Sequence, residues 1–512
     1  MSRFKNSARN IAFTLGSNVL ESILGIISRT VFIATLGAEY LGLAGLLQNI
    51  LGFLSITELG IATAIGFSLY KPLAAKDYKI ISSLMSLYRK AYMIVASIVF
   101  IGGIGFYFLL DFFIAPQEQP PETQFAYFVF LLNTILGYLL SYKSTLLNSD
   151  NKTYRLSGIS IVLIILQFVV QVTCLFATES YAVYLVVILV FSAVRMLVSN
   201  RLITKWYPDV DFRTYEELPT AVKRQLKRNV SGLIIAKIGD YLVNSTDNLI
   251  ITKLVSLTAT GIYSNYLLIR NIVNGYISTI FSGITASMGN VVAVENDEKK
   301  LEIFETTLFC AYFVYSFEAV CFMCLFNPFI GEIWIGKKYL FDTFTVAIIV
   351  INNFLTGMRV PLITMKSAAG KYMEDAWIPF AFAGINLIAS IVLAKYMGVA
   401  GVFLGTIIGS LLTADWYRPV VIYKNVFHTS VCKYFKKYIR YVIFGIMNVA
   451  IAYYICSFLH IPNVLLNFII KASVAVAWPI LFNIIIFSRS KEFNIILKMG
   501  KSLLSMLRFS KG

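Results

Sequence analysis

Charge is scarce in this chain, and so is histidine. Of 512 residues only 14% are Asp, Glu, Lys or Arg, and His428 and His460 are the two imidazoles. A soluble globular protein carries about a quarter charged residues, so the composition excludes that class. Two histidines, both near loops, exclude a His-based metal or catalytic centre. Six cysteines (Cys174, Cys310, Cys321, Cys324, Cys432 and Cys456) lie mostly inside apolar segments, which argues against a disulfide framework. The CxxC pair Cys321 and Cys324 falls within a helix and reads as small apolar packing, not redox or metal chemistry. The alternating ten-residue runs of a membrane β-barrel are missing as well.

What is present is apolar length. The chain is 58% hydrophobic, with a mean hydropathy of +0.74, and apolar segments of about 20 residues recur from end to end, the length a helix needs to cross a bilayer. The reading is an all-α polytopic membrane protein with about 14 transmembrane helices. The spans fall near 11–36, 41–70, 90–113, 124–147, 157–177, 181–203, 229–255, 258–290, 305–330, 343–366, 377–397, 399–422, 440–459 and 465–488. The first is too long for a signal-peptide core and lacks a small-residue cleavage site, so it is expected to be retained.

The formal net charge of +17 invites a nucleic-acid reading, but its distribution answers differently. Taking alternate loops as cytoplasmic places 34 of the 44 Lys and Arg residues on one side, against Lys253, Lys337, Lys338 and Lys395 on the other. By the positive-inside rule both termini are then cytoplasmic, and the basic excess is an orientation and anionic-lipid signal with no nucleic-acid partner. The loop 204–228, with Pro208 and Pro219, reads as a linker between an N-terminal lobe (1–203) and a C-terminal lobe (229–422). Two further helices (423–488) follow, then a tail (489–512) that reads as a cytoplasmic interfacial amphipathic helix.

An internal repeat supports two pseudo-equivalent six-helix lobes plus two C-terminal helices. A shift of 219 residues lays Asn10 on Asn229, Glu21 on Asp240 and Gly42 on Gly261, with the same helix-turn-helix spacing. Parallel repeats of this kind are a transporter design. Gly401, Gly405 and Gly409 form GxxxGxxxG, the pattern of a close helix contact.

Polar residues nevertheless thread the spans. Lys237, Asp240, Asn244 and Asp247 fall on one helical stripe, as do Thr14, Asn18, Glu21, Gly25 and Arg29. Gln48, Ser55 and Glu58 align, as do Tyr263, Tyr266, Arg270, Asn274 and Ser278. Asn352 and Arg359 stand seven apart, and Tyr315 sits with Glu318. A charge at the bilayer centre costs roughly 2.5–3.5 kcal/mol or more, so such stripes should face protein or a water-filled cavity. Simple mutual pairing that fixes helix register is the competing account. Arg suits a phosphate because its planar fork stays charged and donates bidentately. The expected cargo-facing cations are Arg29, Lys237, Arg270 and Arg359. Glu21, Glu58, Asp240, Asp247 and Glu318 are the expected ion-coupling or charge-pairing carboxylates. No cofactor or metal is expected, and H⁺ and Na⁺ both stay open as coupling ions.

LGAEYLGLAGLLQNI (36–50), ELGIATAIGFSLYKPLAAKD (58–77) and STDNLIITKLVSLTATGIYSNY (245–266) resemble the polysaccharide-transporter, or O-antigen flippase, branch of the multidrug/oligosaccharidyl-lipid/polysaccharide (MOP) exporter superfamily. The resemblance implies two six-helix lobes around a central cavity. It also implies export of an undecaprenyl-diphosphate-linked oligosaccharide across the bacterial inner membrane by alternating access, with membrane lipids and polysaccharide assembly proteins as partners. The rivals are a lipid II or drug exporter of the same superfamily and a membrane-embedded polysaccharide polymerase. Drug exporters favour cationic cargo, which the cations here disfavour. A polymerase would need a sizeable outer loop or a catalytic His, so no enzyme activity is expected.

Overall fold

The structure, a computed structural model, describes residues 2–54, 58, 61–114, 119–213, 218, 246–369 and 374–498; of 2–15, 280 and 282–294 it describes the backbone alone. Among the described residues there is no strand. Among the same residues ten helices are long and apolar enough to cross a membrane, the longest being Ile378–Asn425. The chain is an all-α polytopic membrane protein.

The chain forms two compact units, Met1–Ser264 and Asn265–Gly512. The first holds α1 (Ser2–Leu36), α2 (Ala38–Leu54), α3 (Ile61–Ala75), α4 (Tyr78–Tyr107), α5 (Leu110–Phe113), α6 (Thr123–Ser141), α7 (Ser144–Ser149), α8 (Tyr154–Thr178), α9 (Tyr181–Trp206), the helical segment 246–254 (α10) and the start of α11 (Leu257–Val294). Within it α1 packs on α8, α8 on α9, α6 on α4 and α9, and α3 on α4 and α7. The second unit continues with α12 (Asp297–Pro328), α13 (Thr343–Met358), α14 (Val360–Ala368), α15 (Ile378–Leu412), α16 (Ala414–Asn425), α17 (Cys432–Phe458), α18 (Val464–Phe487) and a helical segment 491–498 (α19). Here α12 is the hub, packed on α13, α14, α17 and α18. The expected linker and the start of the second lobe fall mostly on residues outside those described.

Loop residues set the helix ends as capping chemistry demands. Asp77, Asn296, Asp342 and Asn463 each accept a backbone N–H three residues on, at 3.1, 2.9, 3.0 and 3.0 Å. Two span boundaries differ from the sequence reading. Residues 41–70 are not one rod, since α2 ends at Leu54 and α3 begins at Ile61 with Glu58 between them. And α4 starts at Tyr78, so much of the basic stretch read as a loop (71–90) is helix that continues beyond the apolar run.

The glycine stripe makes a hairpin of α15. Gly398 takes φ 56°, ψ −132°, which folds the helix back on itself; that conformation is strained for any residue with a Cβ. A Cβ on Gly401 would strike the Leu393 backbone and one on Gly405 would strike Ser390, so only glycine lets the arms close. Asn386, Ser390 and Thr406 then bridge them: the Ser390 hydroxyl lies 2.8 Å from Asn386 Oδ1 and from the Val402 carbonyl, and Thr406 donates to Asn386 Oδ1 at 3.1 Å. The CxxC pair is packing, as read. Cys324 sits with Cys456, Val320, Ala452 and Ala475 in a buried cluster where α12, α17 and α18 meet, with Cys321 packed against it. All six cysteines are free.

Candidate functional site

Each unit carries polar centres at depths where hydrocarbon would leave them unsolvated, so each side chain there must find a partner or face water. In the first unit α1 presents Arg29, half-buried, whose guanidinium donates to Ser264 Oγ on α11 at 2.7 Å. The Ser264 hydroxyl donates in turn to the Gly261 carbonyl at 2.7 Å, and Tyr184 of α9 stands beside Arg29 while bonding Ser28. Glu21, two turns earlier on α1, is exposed. Asp247 is buried near the start of α10. Lys237, Asp240 and Asn244, three of the four polar residues in their stripe, lie outside the described residues.

Glu58 occupies the interruption between α2 and α3. It accepts a short hydrogen bond from Tyr92 of α4, whose oxygen accepts from Tyr88 at 2.7 Å; Tyr88 lies 3.2 Å from the Thr145 hydroxyl of α7. A carboxylate, two phenols and a hydroxyl thus form a continuous chain through a helix break. The spacing of Gln48, Ser55 and Glu58 signalled the carboxylate but not its tyrosine partners, which come from another helix.

In the second unit the centre is Glu318 of α12, only 2% exposed. Asn353 of α13 donates to its Oε2 at 2.9 Å, and Asn274 of α11 donates to Asn353 Oδ1 at 3.0 Å. Glu318 Oε1 is buried without a hydrogen-bond partner among the described residues. Arg270, one turn before Asn274, lies within electrostatic reach of Glu318. Tyr315 stacks on Phe281 at 6.1 Å and fills the space left by Gly357, where a Cβ would meet its ring. The structure therefore brings together Arg270, Asn274, Tyr315 and Glu318, which the sequence placed on two separate stripes, and adds Asn353, which it missed.

Arg359 is a correction. Read from sequence as a cargo-facing cation, it is 7% exposed and fully engaged. Its guanidinium donates to Thr356 at 2.7 Å and to Ser410, lies 3.8 Å from Asp415 and 5.6 Å from the Phe382 ring centroid. Ser410 donates to Asp415 as well. The ion pair locks α13, α15 and α16 together, the structural pairing that competes with a pathway reading. Its partner is 56 residues away in sequence, beyond any periodicity.

Among the described residues no group of three or more His, Cys, Asp or Glu side chains is placed to hold a metal ion. The geometry instead offers half-buried guanidinium groups, one buried carboxyl centre at Glu318 and one half-buried carboxyl centre at Glu58. A family model for polysaccharide biosynthesis proteins matches residues 7–285, more than half of the chain. The chain belongs to that family. Its family assignment agrees with the resemblance carried by residues 36–50, 58–77 and 245–266. No curated protein matches the sequence of this polysaccharide biosynthesis protein, but solved structures match its fold. The lipid II flippase MurJ, inward closed, aligns with TM-score 0.63 and 13% identity over 93% of this chain and 99% of that one. An inward-facing multidrug resistance MATE family transporter of the MOP superfamily gives 0.60 and 14% over 77% and 92%. A mutant of the Vibrio cholerae MATE transporter VcmN gives 0.55 and 13% over 83% and 98%. The fold is that of the MOP transporters.

Proposed function

We propose that this polysaccharide biosynthesis protein is a flippase, not an enzyme. In this reading it moves an undecaprenyl-diphosphate-linked oligosaccharide across the bacterial inner membrane by alternating access, for O-antigen, capsule or exopolysaccharide synthesis. Both termini are cytoplasmic, and polysaccharide assembly proteins receive the product. The family match carries the reading. The likeness in fold to a lipid II flippase supports it, because that protein too handles a lipid-borne substrate by name. The physics fits such a cargo: its lipid tail can stay in the bilayer, while the diphosphate and sugars require a wet, cationic passage. With the interior negative, each negative charge moved outward gains about 2.3 kcal/mol per 100 mV.

Arg29, Arg270 and Lys237 meet the diphosphate in this scheme; Arg359 does not, because Asp415 holds it. Glu318 takes the coupling role. One of its oxygens is bonded by an amide and the other has no hydrogen-bond partner among the described residues, an arrangement that accepts a proton. A sodium ion would want several converging oxygens, and Asn353 Oδ1 is already used by Asn274.

A charge-assisted hydrogen bond contributes about 1.5–3 kcal/mol. Ala at Arg29 or Arg270 should therefore slow flipping of a fluorescent lipid-linked oligosaccharide in proteoliposomes by about tenfold or more. An undiminished rate in the combined Arg29→Ala, Lys237→Ala, Arg270→Ala protein would sink the reading. Flipping of lipid II in preference to the oligosaccharide lipid would move the assignment to the neighbouring class.

A further inference from the structure

A second polar site lies on the far side of α12 from Glu318, among α12, α13, α17 and α18. It is a cavity of about 260 Å³ with Cys324 and Cys456 among its lining residues. Its polar lining includes Lys471, His460, Ser457, Thr343 and Tyr453, and no carboxylate. Tyr453, Ser457, His460 and Thr343 are exposed, so the cavity opens at the surface of the bundle. Lys471 lies on α18 roughly 10 Å along from its first residue, Val464. That depth lies inside the apolar layer, within reach of the interface for a side chain that can extend along its helix. Among the described residues no carboxylate pairs with Lys471. This end of α17 and α18 is opposite the basic loops, so Lys471 is an isolated cation on a face otherwise poor in them.

We propose that this cavity binds the phosphodiester headgroup of an anionic phospholipid, with the Lys471 ammonium as its counter-ion. A lysine kept at membrane depth without a protein anion needs either water or a lipid anion, and three features favour the lipid. Thr343 of α13, Tyr453 of α17 and His460 line the same space with groups able to donate, while the Ser457 hydroxyl donates to the Tyr454 carbonyl at 2.7 Å, and an imidazole offers one donor in either tautomer. The volume is below that of a typical whole-ligand pocket and suits a headgroup whose acyl chains run outside along the helices. The lining carries no carboxylate, so nothing in it repels an anion drawn to Lys471. The bound lipid would tie α17 and α18 to α12 and α13, a role separate from moving cargo.

Native mass spectrometry of the purified full chain with phosphatidylglycerol, phosphatidylcholine and a polyprenyl diphosphate tests this. One retained phosphatidylglycerol is expected, about fivefold weaker in Lys471→Gln and restored in Lys471→Arg. Ser457→Phe, which fills the mouth and keeps the charge, should lower retention as well. Lys395→Gln should not. Phosphatidylcholine should bind more weakly and without regard to Lys471. Equal phosphatidylglycerol retention by wild type and Lys471→Gln would overturn the site. Lys471-dependent binding of the polyprenyl diphosphate with none of phosphatidylglycerol would also overturn it, and would return the cavity to the transported lipid.

Discussion

Gly42 and Gly261 meet reciprocally where α2 and α11 begin: a Cβ on Gly42 would collide with the Leu257 carbonyl, and a Cβ on Gly261 would collide with the Ala38 carbonyl. Ala38 and Leu257 each precede their glycine by four residues, and the same 219-residue shift relates both pairs. Both glycines lie in the first unit, and each lets the backbone at the start of the other's helix come close.

Because the obstacles are backbone carbonyls, no side chain can yield. Gly42→Ala and Gly261→Ala should each cost about 1–3 kcal/mol, read as a lower melting temperature of the purified protein. One small separation of the two helices would relieve both clashes, so the double variant should cost less than the sum. Strict additivity would show that the two contacts are independent.

Replacing Glu318 by Gln keeps the shape and an oxygen that can accept from Asn353. Stability should therefore stay within about 1 kcal/mol of wild type, while any acceleration of flipping by a pH gradient should vanish. Measuring flux at fixed voltage with and without the gradient decides this. A gradient response that survives in Glu318→Gln would pass the role to the Glu58, Tyr92 and Tyr88 chain.

The membrane class was legible because hydrocarbon thickness imposes a length that the apolar runs carry openly. The close approach of α2 and α11 showed through Gly42 and Gly261. The carboxyl centres were half legible: Glu318 and Arg270 stood out as charges within apolar runs, but Asn353 looked like any helix amide until α13 packed on α12. Lys471 escaped because a single lysine in α18 belongs to no stripe, and its pocket is assembled from three other helices. The break between α2 and α3 carries no proline, so periodicity ran straight through it. Arg359 misled because a charge read along its own helix carries no sign of Asp415, which the α15 hairpin delivers.

That pairing predicts a thermodynamic signature. Asp415→Asn or Arg359→Met alone strands one buried charge or polar group and should cost about 3–5 kcal/mol. Arg359→Met with Asp415→Leu removes both and should recover most of the loss. Flux per folded molecule should match wild type in the recovered double variant. A stable Arg359 variant that has lost transport would instead put this guanidinium on the path of the cargo.

The start of α19 is held by ion pairs that titrate. Glu302, on the first turns of α12, accepts from Lys299 at 2.6 Å and Lys491 at 2.9 Å, and these ammonium groups pull its carboxyl down to about 2 from an ordinary value of 4.5. Nearby, Lys437 of α17 bridges Glu305 at 2.7 Å and Glu492 at 2.6 Å. A depressed carboxyl stabilises the docked form above its unfolded value and stops doing so as it protonates. The docking contribution of Glu302 is therefore intact above pH 4.5 and lost as pH falls toward 2. Spin labels at the exposed positions Glu298 and Lys498 should report a fixed short distance at neutral pH that broadens across that window. High salt should broaden it at neutral pH, since these groups are partly exposed and screened. Glu302→Gln should shift the release upward in pH. A distance unchanged at pH 2 would mean that apolar contacts of 491–498, and not its charges, hold the segment in place.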